Sequence, residues 1–440
     1  MLSKKALRSH LNPALDKCQP MQISGRVSKV SGSIIESIGP KASVGEICHI
    51  KDSDGAVIGL VEVVGFSNEN VIQSMPLGFM PQISPNTTII STNRQLEIPV
   101  GENLLGRTVD SLANPLDGKG EIFCKQKRSI YAKPPNPLLR KRIFEPIKTG
   151  IRAIDGMLTI GKGQRMGIFS GSGVGKSVLI GMLSKYSSAD VNVIALIGER
   201  GREVREFIEK DLGDKGLTNT ILVVETGDKP PLLRVKAALT ATTIAEYFRD
   251  QGLDVMLIMD SITRLAMAQR EIGLATGEPP TTKGYTPSVF NILQSTMERA
   301  GTSDIGSITA LYSVLVEGDD INEPVSDTAR GVLDGHIVLS RKLANMGHYP
   351  AIEILESISR LRNDIIQPNH LEAVLKVQKV MAAYRQSEDL ISVGAYQKGS
   401  NHLTDKAIAT LARRDSFLSQ GINEVSTFED TITQLIQLSK

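Results

Sequence analysis

The stretch FSGSGVGKSVLI, Phe169–Ile180, contains the residue types that bind phosphate. A phosphate-binding loop requires Gly, four free positions, and then Gly-Lys-Ser or Gly-Lys-Thr. Gly175, Lys176 and Ser177 match this pattern, whereas Ser170 stands where the first Gly is expected. In such a loop, backbone N–H groups surround phosphate oxygens, the Lys reaches the β- and γ-phosphates, and the hydroxyl binds Mg²⁺. The residues therefore predict a nucleotide site.

Ser170 is compatible with this prediction because it ends the apolar run RMGIFS, where a small residue with negative φ can make the turn. A helix-compatible stretch, Lys176–Tyr186, follows the loop. Its N-terminus would add positive partial charge beside the phosphates. The predicted nucleotide-binding residues of the loop are Gly171, Ser172, Gly173, Val174, Gly175, Lys176, Ser177 and Val178.

Two acidic residues follow apolar strands and are candidates for metal binding and hydrolysis. Asp260 ends DVMLIMD, the position of a carboxylate that holds Mg²⁺ directly or through water, so Ser177 and Asp260 are the predicted metal ligands. Glu199 follows VNVIALIG and would lie at the carboxyl edge of the same sheet, where it could position the attacking water. Glu203 and Glu206 are rival carboxylates, although a solvated helix is expected there.

The region from Ile147 to about Ile366 must position these residues. Its apolar runs are too short for helices and too apolar for half-exposed strands, so they predict buried parallel strands separated by helices. The runs are RMGIFS, VNVIALIG, TILVVE, DVMLIMD and SITALYSVLVE. This pattern predicts an α/β domain.

The flanking regions have different patterns. Between Met21 and about Asn93, six short β-branched runs separated by turn residues predict a small closed barrel. Beyond Pro368, apolar residues at helical spacing predict a helical region, in which Ser426 and Glu429 form a capping-box signal. The predicted domains are residues 21–95, 96–366 and 367–440.

Two further segments lie outside the predicted barrel and core. Residues 1–20 are predicted to be either a short basic helix that ends near Pro13 or a frayed terminus. A connector after Leu96 contains the basic stretch KQKRSIYAKPPNPLLRKR, which we expect to be a solvated linker because its prolines prevent a continuous recognition helix.

Composition excludes several classes of protein. The 440 residues carry a formal net charge of +2, so no strong field for nucleic acid or membrane is implied. Three dispersed cysteines and six dispersed histidines give no disulfide or metal signature. Because neither a signal peptide nor an apolar run long enough to span a bilayer is recognisable, we expect a cytoplasmic protein.

Four long motifs carry a specific resemblance. They are GERGREVREF, MDSITRLAMAQREIGLATGEPPTTKGYTPSVF, DTARGVLDGHIVLSRKLANMGHYPAI and ESISR. From Met21 to the C-terminus the chain resembles the export ATPases of type III secretion systems, most closely the flagellar one, which are related to the catalytic subunit of rotary F-type ATPases. Ser170 and Thr286 depart from the pattern of many relatives, and a small residue at the first loop position is frequent in secretion ATPases.

The resemblance implies a hexameric ring with an N-terminal β-barrel, a RecA-like P-loop core and a C-terminal helical domain. It assigns ATP and Mg²⁺ as cofactors and Lys176, Glu199 and the adjacent Arg200 as catalytic. It also implies that Arg360 is an arginine finger donated to the neighbouring subunit and that Tyr349 stacks on adenine.

The resemblance also implies partners and a location. It implies a stator or regulatory protein at the N-terminus, a central stalk and an export gate at the C-terminal domain, and exported substrates with their chaperones. The implied location is cytoplasmic, peripheral to the inner membrane at the export apparatus.

Other functions stay open at this point. Virulence-type and flagellar export share the core motifs. An RNA-directed hexameric translocase would also join a small barrel to such a core, but between Met21 and Thr92 the only aromatic residues are Phe66 and Phe79, which disfavours stacking on bases, and we expect no nucleic-acid partner. A non-catalytic ring subunit is disfavoured because Glu199 and Arg360 are both present, and separation from a rotary synthase depends on the resemblance alone.

Overall fold

The computed structural model describes residues 23–68, 70–316 and 323–440. They fall into two compact units. The first unit runs to Leu96 and includes Leu274–Glu278, and the second comprises Glu97–Gly273 and Pro279–Lys440. The segment 1–20, predicted to dock a stator protein, lies outside the described residues.

The first unit contains a closed barrel of six antiparallel strands, as the sequence predicted. The strands are β1 Ser24–Ser31, β2 Ile34–Ile38, β3 Glu46–Lys51, β4 Val57–Asn68, β5 Val71–Pro76 and β6 Thr88–Gln95. They pair in the order β1-β2-β5-β4-β3-β6, and β6 closes on β1. The interior is filled by β-branched and other apolar side chains, among them Ile35, Ile50, Val61, Val63 and Ile89, none of which is exposed.

The second unit is built on a mainly parallel sheet. The strands of this unit are β7 Glu97–Val100, β8 Thr108–Val109, β9 Gln126–Ser129, β10 Arg165–Ser170, β11 Val191–Glu199, β12 Thr220–Thr226, β13 Asp254–Asp260, β14 Gly301–Thr302, β15 Ser307–Leu315, β16 Gly335–Leu339 and β17 Ile358–Ser359. Of these, β7 and β9 form a separate two-stranded sheet. The order is β17-β16-β10-β15-β13-β11-β12-β8, and β14 pairs with β15. Only β14 and β17 run antiparallel to their neighbours in the described part of this sheet. The parallel strands therefore end at one edge.

Helices alternate with the strands of the second unit and then continue alone; the last two residues of the helix Ile262–Ala275 belong to the first unit. The helices are α1 Lys176–Tyr186, α2 Gly201–Glu206, α3 Gly213–Leu217, α4 Pro231–Arg249, α5 Ile262–Ala275, α6 Pro287–Glu298, α7 Pro324–Val332, α8 Arg341–Asn345, α9 Arg362–Ile365, α10 Pro368–Ser392, α11 His402–Leu418 and α12 Phe428–Ser439. Between α2 and α3, residues Phe207–Leu212 form a π-helical turn. In the described ranges 23–68, 70–316 and 323–440, no helix is long and apolar enough to cross a bilayer.

The connector after Leu96 is more ordered than the sequence predicted. Strand β7 pairs with β9, and β8 extends the core sheet beside β12. The basic stretch is anchored by Arg128, whose Nη1 lies 2.7 Å from Asp250 Oδ2, and by Arg140, which donates to the Ala300 carbonyl over 2.7 Å. The expectation of a solvated linker is therefore wrong for Arg128 and Arg140, because their guanidinium groups bond to Asp250 and to the Ala300 carbonyl.

The C-terminal helices share the hydrophobic core of the second unit. Val374 and Leu435 are fully buried in the same cluster as residues of the sheet. Helix α12 is capped by Thr427, whose Oγ1 accepts from the Asp430 N–H over 3.1 Å. The capping-box prediction was therefore off by one residue, because the hydroxyl of Ser426 instead faces Thr431 Oγ1 at 2.9 Å.

A buried ion pair joins α4 to the end of α6. Arg299 and Glu246, 2% and 4% exposed, form two hydrogen bonds of 2.8 and 2.6 Å. Arg299 also donates to Thr243 and to the Ile130 carbonyl, so the connector depends on the same guanidinium. Removing one partner of such a pair leaves an uncompensated buried charge.

We predict that Arg299→Ala lowers the free energy of unfolding by roughly 3–5 kcal/mol, because Glu246 then stays buried without its partner. Urea denaturation measures the difference. The control is Arg202→Ala, which removes an exposed pair with Glu206 and should cost no more than about 1 kcal/mol. Equal losses in the two variants would contradict the importance of burial.

Candidate nucleotide-binding site

The glycine-rich loop joins β10 to α1 at the carboxyl edge of the sheet. Gly173 and Gly175 have φ of 78° and 86°, the left-handed region that favours glycine. Ser170 is not among the residues with positive φ, which explains why a side chain is tolerated there. The Ser170 hydroxyl is buried and has no hydrogen-bond partner in the described structure. The loop thus has the backbone of a phosphate site in spite of its mismatch.

Lys176, the first residue of α1, forms an ion pair with Asp260 at the end of β13. Lys176 Nζ lies 2.5 Å from Asp260 Oδ1, and both side chains are largely buried. Ser313 Oγ on β15 donates to the same carboxylate oxygen over 2.7 Å. The structure thus brings together the loop lysine and the acidic residue predicted from two distant segments.

Glu199 ends β11, the strand beside β13, and its carboxylate belongs to the same cluster. Burial, together with the charge of Asp260, raises the pKa of Glu199 to about 7, although Lys176 and Arg264 oppose the shift. Of the rival carboxylates on α2, Glu206 pairs with exposed Arg202. Glu203 pairs with exposed Arg200 and also hydrogen-bonds to Glu199, which raises the Glu199 pKa further. A carboxylate with a pKa near neutrality beside a phosphate loop is suited to orient water or accept its proton.

Two residues of this cluster were missed from the sequence. Arg264 on α5 packs its aliphatic stem against Gly198, where an added Cβ would come within 3.4 Å of the arginine side chain, and its Nε is buried without a hydrogen-bond partner in the described structure. Ser313 is the last of three serine or threonine residues in strand β15, after Ser307 and Thr309. Its place near the carboxyl end of that strand, and an arginine four residues after Asp260, were the available signals.

Tyr349, which the resemblance implied as the residue that stacks on adenine, lies against the loop. A Cβ added at Gly175 would be 3.2 Å from the Tyr349 ring. Tyr349 is 44% exposed, which leaves surface for a flat ligand beside the loop. The tyrosine is fixed through its backbone, because its carbonyl accepts from the Gln420 N–H over 2.8 Å.

The two predicted catalytic arginines are exposed and outside this cluster. Arg200 follows Glu199, is 80% exposed at its side chain and lies 3.4 Å from Glu203. Arg360 lies beyond β17, and its N–H donates to the Asp334 carbonyl at the amino end of β16. Strand β16 is parallel to β10, so Arg360 is at the amino end of the strand whose carboxyl end carries the loop. The intervening strand is about 16 Å long, which an arginine side chain cannot span.

The residues present are suitable for Mg²⁺. No group of three or more His, Cys, Asp or Glu side chains in the described part of the chain forms a metal site by itself. Mg²⁺ instead prefers one or two protein oxygens with substrate phosphates and water. The Ser177 hydroxyl and the Asp260 carboxylate, whose Oδ2 takes no part in the bonds to Lys176 and Ser313, are such oxygens.

Comparison with known proteins agrees with this geometry. Residues 150–359 match the ATP synthase alpha/beta family, nucleotide-binding domain, and residues 366–437 match the T3SS EscN ATPase C-terminal domain. A flagellum-specific ATP synthase of Bacillus subtilis (strain 168) is 53% identical over 417 residues, 94% of this chain and 95% of the relative. A type 3 secretion system ATPase of Xanthomonas euvesicatoria is 46% identical over 94% of each chain. This chain belongs to the flagellar and type III secretion ATPase family.

Solved structures of the family support the same conclusion. The assembled ATPase EscN from the type III secretion system of enteropathogenic E. coli is 44% identical, with a TM-score of 0.90 over 94% of this chain and 100% of that chain. EscN in complex with its central stalk EscO is 43% identical, with a TM-score of 0.87 over the same shares. The predicted fold, a P-loop ATPase core with an N-terminal barrel and C-terminal helices, is therefore confirmed.

The position of Tyr349 predicts how an ATPase of this family would bind the base. Stacking of a base on an aromatic ring contributes about 1–3 kcal/mol. We expect Tyr349→Ala to weaken ATP binding by roughly 5- to 150-fold, corresponding to that range. Tyr349→Phe, which keeps the ring, should bind like the wild type. Fluorescent-nucleotide titration measures both, and equal affinity in all three proteins would exclude stacking.

The pKa of Glu199 predicts a pH dependence. A carboxyl group whose pKa is about 7 is mostly protonated at lower pH and cannot act as a base there. Thus kcat/KM for ATP, which reports the free enzyme, should rise with pH through about 7. Glu199→Asp should move this limb of the profile because the shorter side chain changes its distance from Asp260. An unmoved limb would assign the titration to another group.

Proposed function

We propose that this chain is a Mg²⁺-dependent ATPase that works as a hexameric ring with each active site shared by two neighbours. The position of Arg360 carries this proposal. Its backbone lies at the amino end of β16, whereas the phosphate loop of the same subunit lies at the carboxyl end of β10. An arginine that acts on phosphate from this position must do so in the next subunit.

Each residue has a proposed role in ATP hydrolysis. Backbone N–H groups of residues 171–178 and the Lys176 ammonium bind the phosphates, and Ser177 and Asp260 would hold Mg²⁺, which neutralises charge on the β- and γ-phosphates. Glu199 orients the water that attacks the γ-phosphorus in line and accepts its proton. Arg360 of the neighbour stabilises the charge of the transition state. Arg200 is a further catalytic residue beside Glu199, and the Tyr349 ring stacks on adenine.

The proposed biological role is protein export by a type III apparatus, at the cytoplasmic face of the inner membrane. The C-terminal helices would face a central stalk and an export gate, by analogy with EscN and its stalk EscO. Exported substrates and their chaperones are the further proposed partners. We propose the flagellar system, which the 53% identity to the B. subtilis flagellar relative supports. Other flagellar relatives, at 42–48% identity, overlap with secretion relatives, at 45–46%. Restored motility in a flagellar-ATPase deletion strain tests this choice.

A nucleic-acid motor is the competing function. The first unit offers two exposed aromatic side chains, Phe66 and Phe79, for stacking. The formal net charge of +2 gives little attraction for a phosphate backbone. Single-stranded RNA should therefore leave the ATPase rate unchanged, and strong stimulation would favour the translocase instead.

Mixing two inactive variants tests the shared site. Glu199→Gln keeps a good Arg360, and Arg360→Ala keeps a good Glu199, so each alone should lose roughly 10³-fold or more in rate. In one-to-one mixed rings, about one interface in four joins a good Glu199 to a good Arg360. ATP turnover should therefore recover on mixing.

The control is the double variant Glu199→Gln/Arg360→Ala mixed with Arg360→Ala, which provides no good finger and should stay inactive. Absence of recovery in the first mixture, with rings verified by light scattering, would contradict a site shared between subunits.

A further inference from the structure

The buried side-chain amide of Gln164 hydrogen-bonds to the two residues that hold the backbone of Arg360 in place. Gln164, which has no exposed surface, donates from Nε2 to the Asp334 carbonyl and to Ser359 Oγ, each over 3.1 Å. Its Oε1 accepts from the Gly161 N–H over 2.8 Å. Ser359 immediately precedes Arg360, and the Arg360 N–H donates to the same Asp334 carbonyl over 3.0 Å. The Gln164 side chain thus hydrogen-bonds to both Asp334 and Ser359, the residues that fix the backbone position of Arg360.

Arg165, the residue after Gln164, hydrogen-bonds to Asp334 as well. The Arg165 N–H and Nε donate to Asp334 Oδ2 over 3.0 and 3.1 Å. Arg165 also forms an ion pair with Glu298 at 2.7 Å. The Asp334 N–H in turn donates to the Arg165 carbonyl over 2.8 Å. Two consecutive residues at the start of β10 therefore fix the approach to β16 and β17.

We propose that Gln164 is a positioning residue for Arg360, an inference that depends on the proposed role of Arg360 in the neighbouring site. Gln164 is buried at the amino end of β10 and cannot contact a nucleotide at the loop. Its effect on hydrolysis must pass through Ser359 and Asp334 to the arginine. A displaced finger lowers the rate because a misplacement of about 1 Å can cost about 10²-fold.

The proposal gives β10 a double role. Its carboxyl end carries the phosphate loop of the subunit's own site, and its amino end holds the arginine that the subunit supplies to the next site. Both ends belong to one strand, which pairs with β15 along its whole length and with β16 from Gly167 to Ser170. The strand is thus a direct structural link between consecutive sites of the ring.

The test uses Gln164→Met in the full chain, which keeps the length of the side chain and removes its hydrogen bonds. We expect kcat of assembled rings to fall roughly 10- to 100-fold, less than the loss of the finger itself. KM for ATP and nucleotide affinity should stay unchanged because the loop is intact. Ser359→Ala removes the partner hydroxyl and should give the same pattern with a smaller effect.

Mixed rings identify which half of the shared site is damaged. If Gln164 positions the finger, Gln164→Met should regain activity when mixed with Glu199→Gln, which donates a good Arg360. It should not regain activity when mixed with Arg360→Ala. Rescue by Arg360→Ala instead would mean that Gln164 acts on its own loop, and rescue by neither would mean a general structural defect. Either result overturns the proposal.

Two controls keep the outcomes separate. The Glu199→Gln and Arg360→Ala mixture must recover first, because its failure would overturn the shared site and not the role of Gln164 alone. Asn192→Leu removes another fully buried amide, which donates to the Ser184 carbonyl over 3.0 Å far from Arg360, and its rings should keep their kcat. If Asn192→Leu forms rings and neither Gln164→Met nor Ser359→Ala does, Gln164 is required for folding and the proposal is wrong.

Discussion

The ion pair between Lys176 and Asp260 is the interaction on which the site depends. Both side chains are largely buried at the end of an apolar sheet, where an isolated charge costs several kcal/mol. Each charge is therefore retained because the other is present, and Ser313 adds a hydrogen bond. In the proposed mechanism, phosphates that pair with Lys176 would leave Asp260 without its partner. A cation such as Mg²⁺ would then compensate the Asp260 charge. For the same reason, burial first and the charge of Asp260 second raise the pKa of Glu199.

The direction of the strands determines why one subunit provides only half of the proposed site. Parallel strands deliver their last residues to one edge, which collects the loop, Asp260 and Glu199. Arg360 follows the antiparallel strand β17 and is returned to the opposite edge. If Arg360 has the proposed role, this topology would complete the site by placing the amino edge of one subunit against its neighbour. Assembly into a ring would then serve the chemistry directly.

Local patterns in the sequence were sufficient to predict the secondary-structure elements but not the contacts between them. The six barrel strands and the strands that carry the loop, Glu199 and Asp260 follow from short apolar runs between turns. Strand β16 was missed because GHIVL is short and only alternately buried. The connector was misjudged because Arg128 and Arg140 are typical of a solvated linker until their partners, more than a hundred residues away, are known. Ser313 and Gln164 likewise hydrogen-bond to partners 53 and 170 residues away in the chain, and Arg264 packs against Gly198 on strand β11.

The mismatch at Ser170 shows what the loop pattern describes physically. Glycine is needed where φ is positive or where a Cβ would collide, and Gly173 and Gly175 have positive φ. Gly175 also faces the Tyr349 ring, so a side chain there would occupy the place of the aromatic contact. Ser170 belongs to β10, where its carbonyl accepts from the Val316 N–H over 3.0 Å, and strand geometry accepts any small residue. Of the two glycine positions that the pattern fixes, Gly175 therefore meets a backbone requirement, whereas the position of Ser170 is already satisfied by the strand. Gly173 meets a further requirement at a position that the pattern leaves free, so the loop can carry Ser170 and keep the shape of a phosphate site.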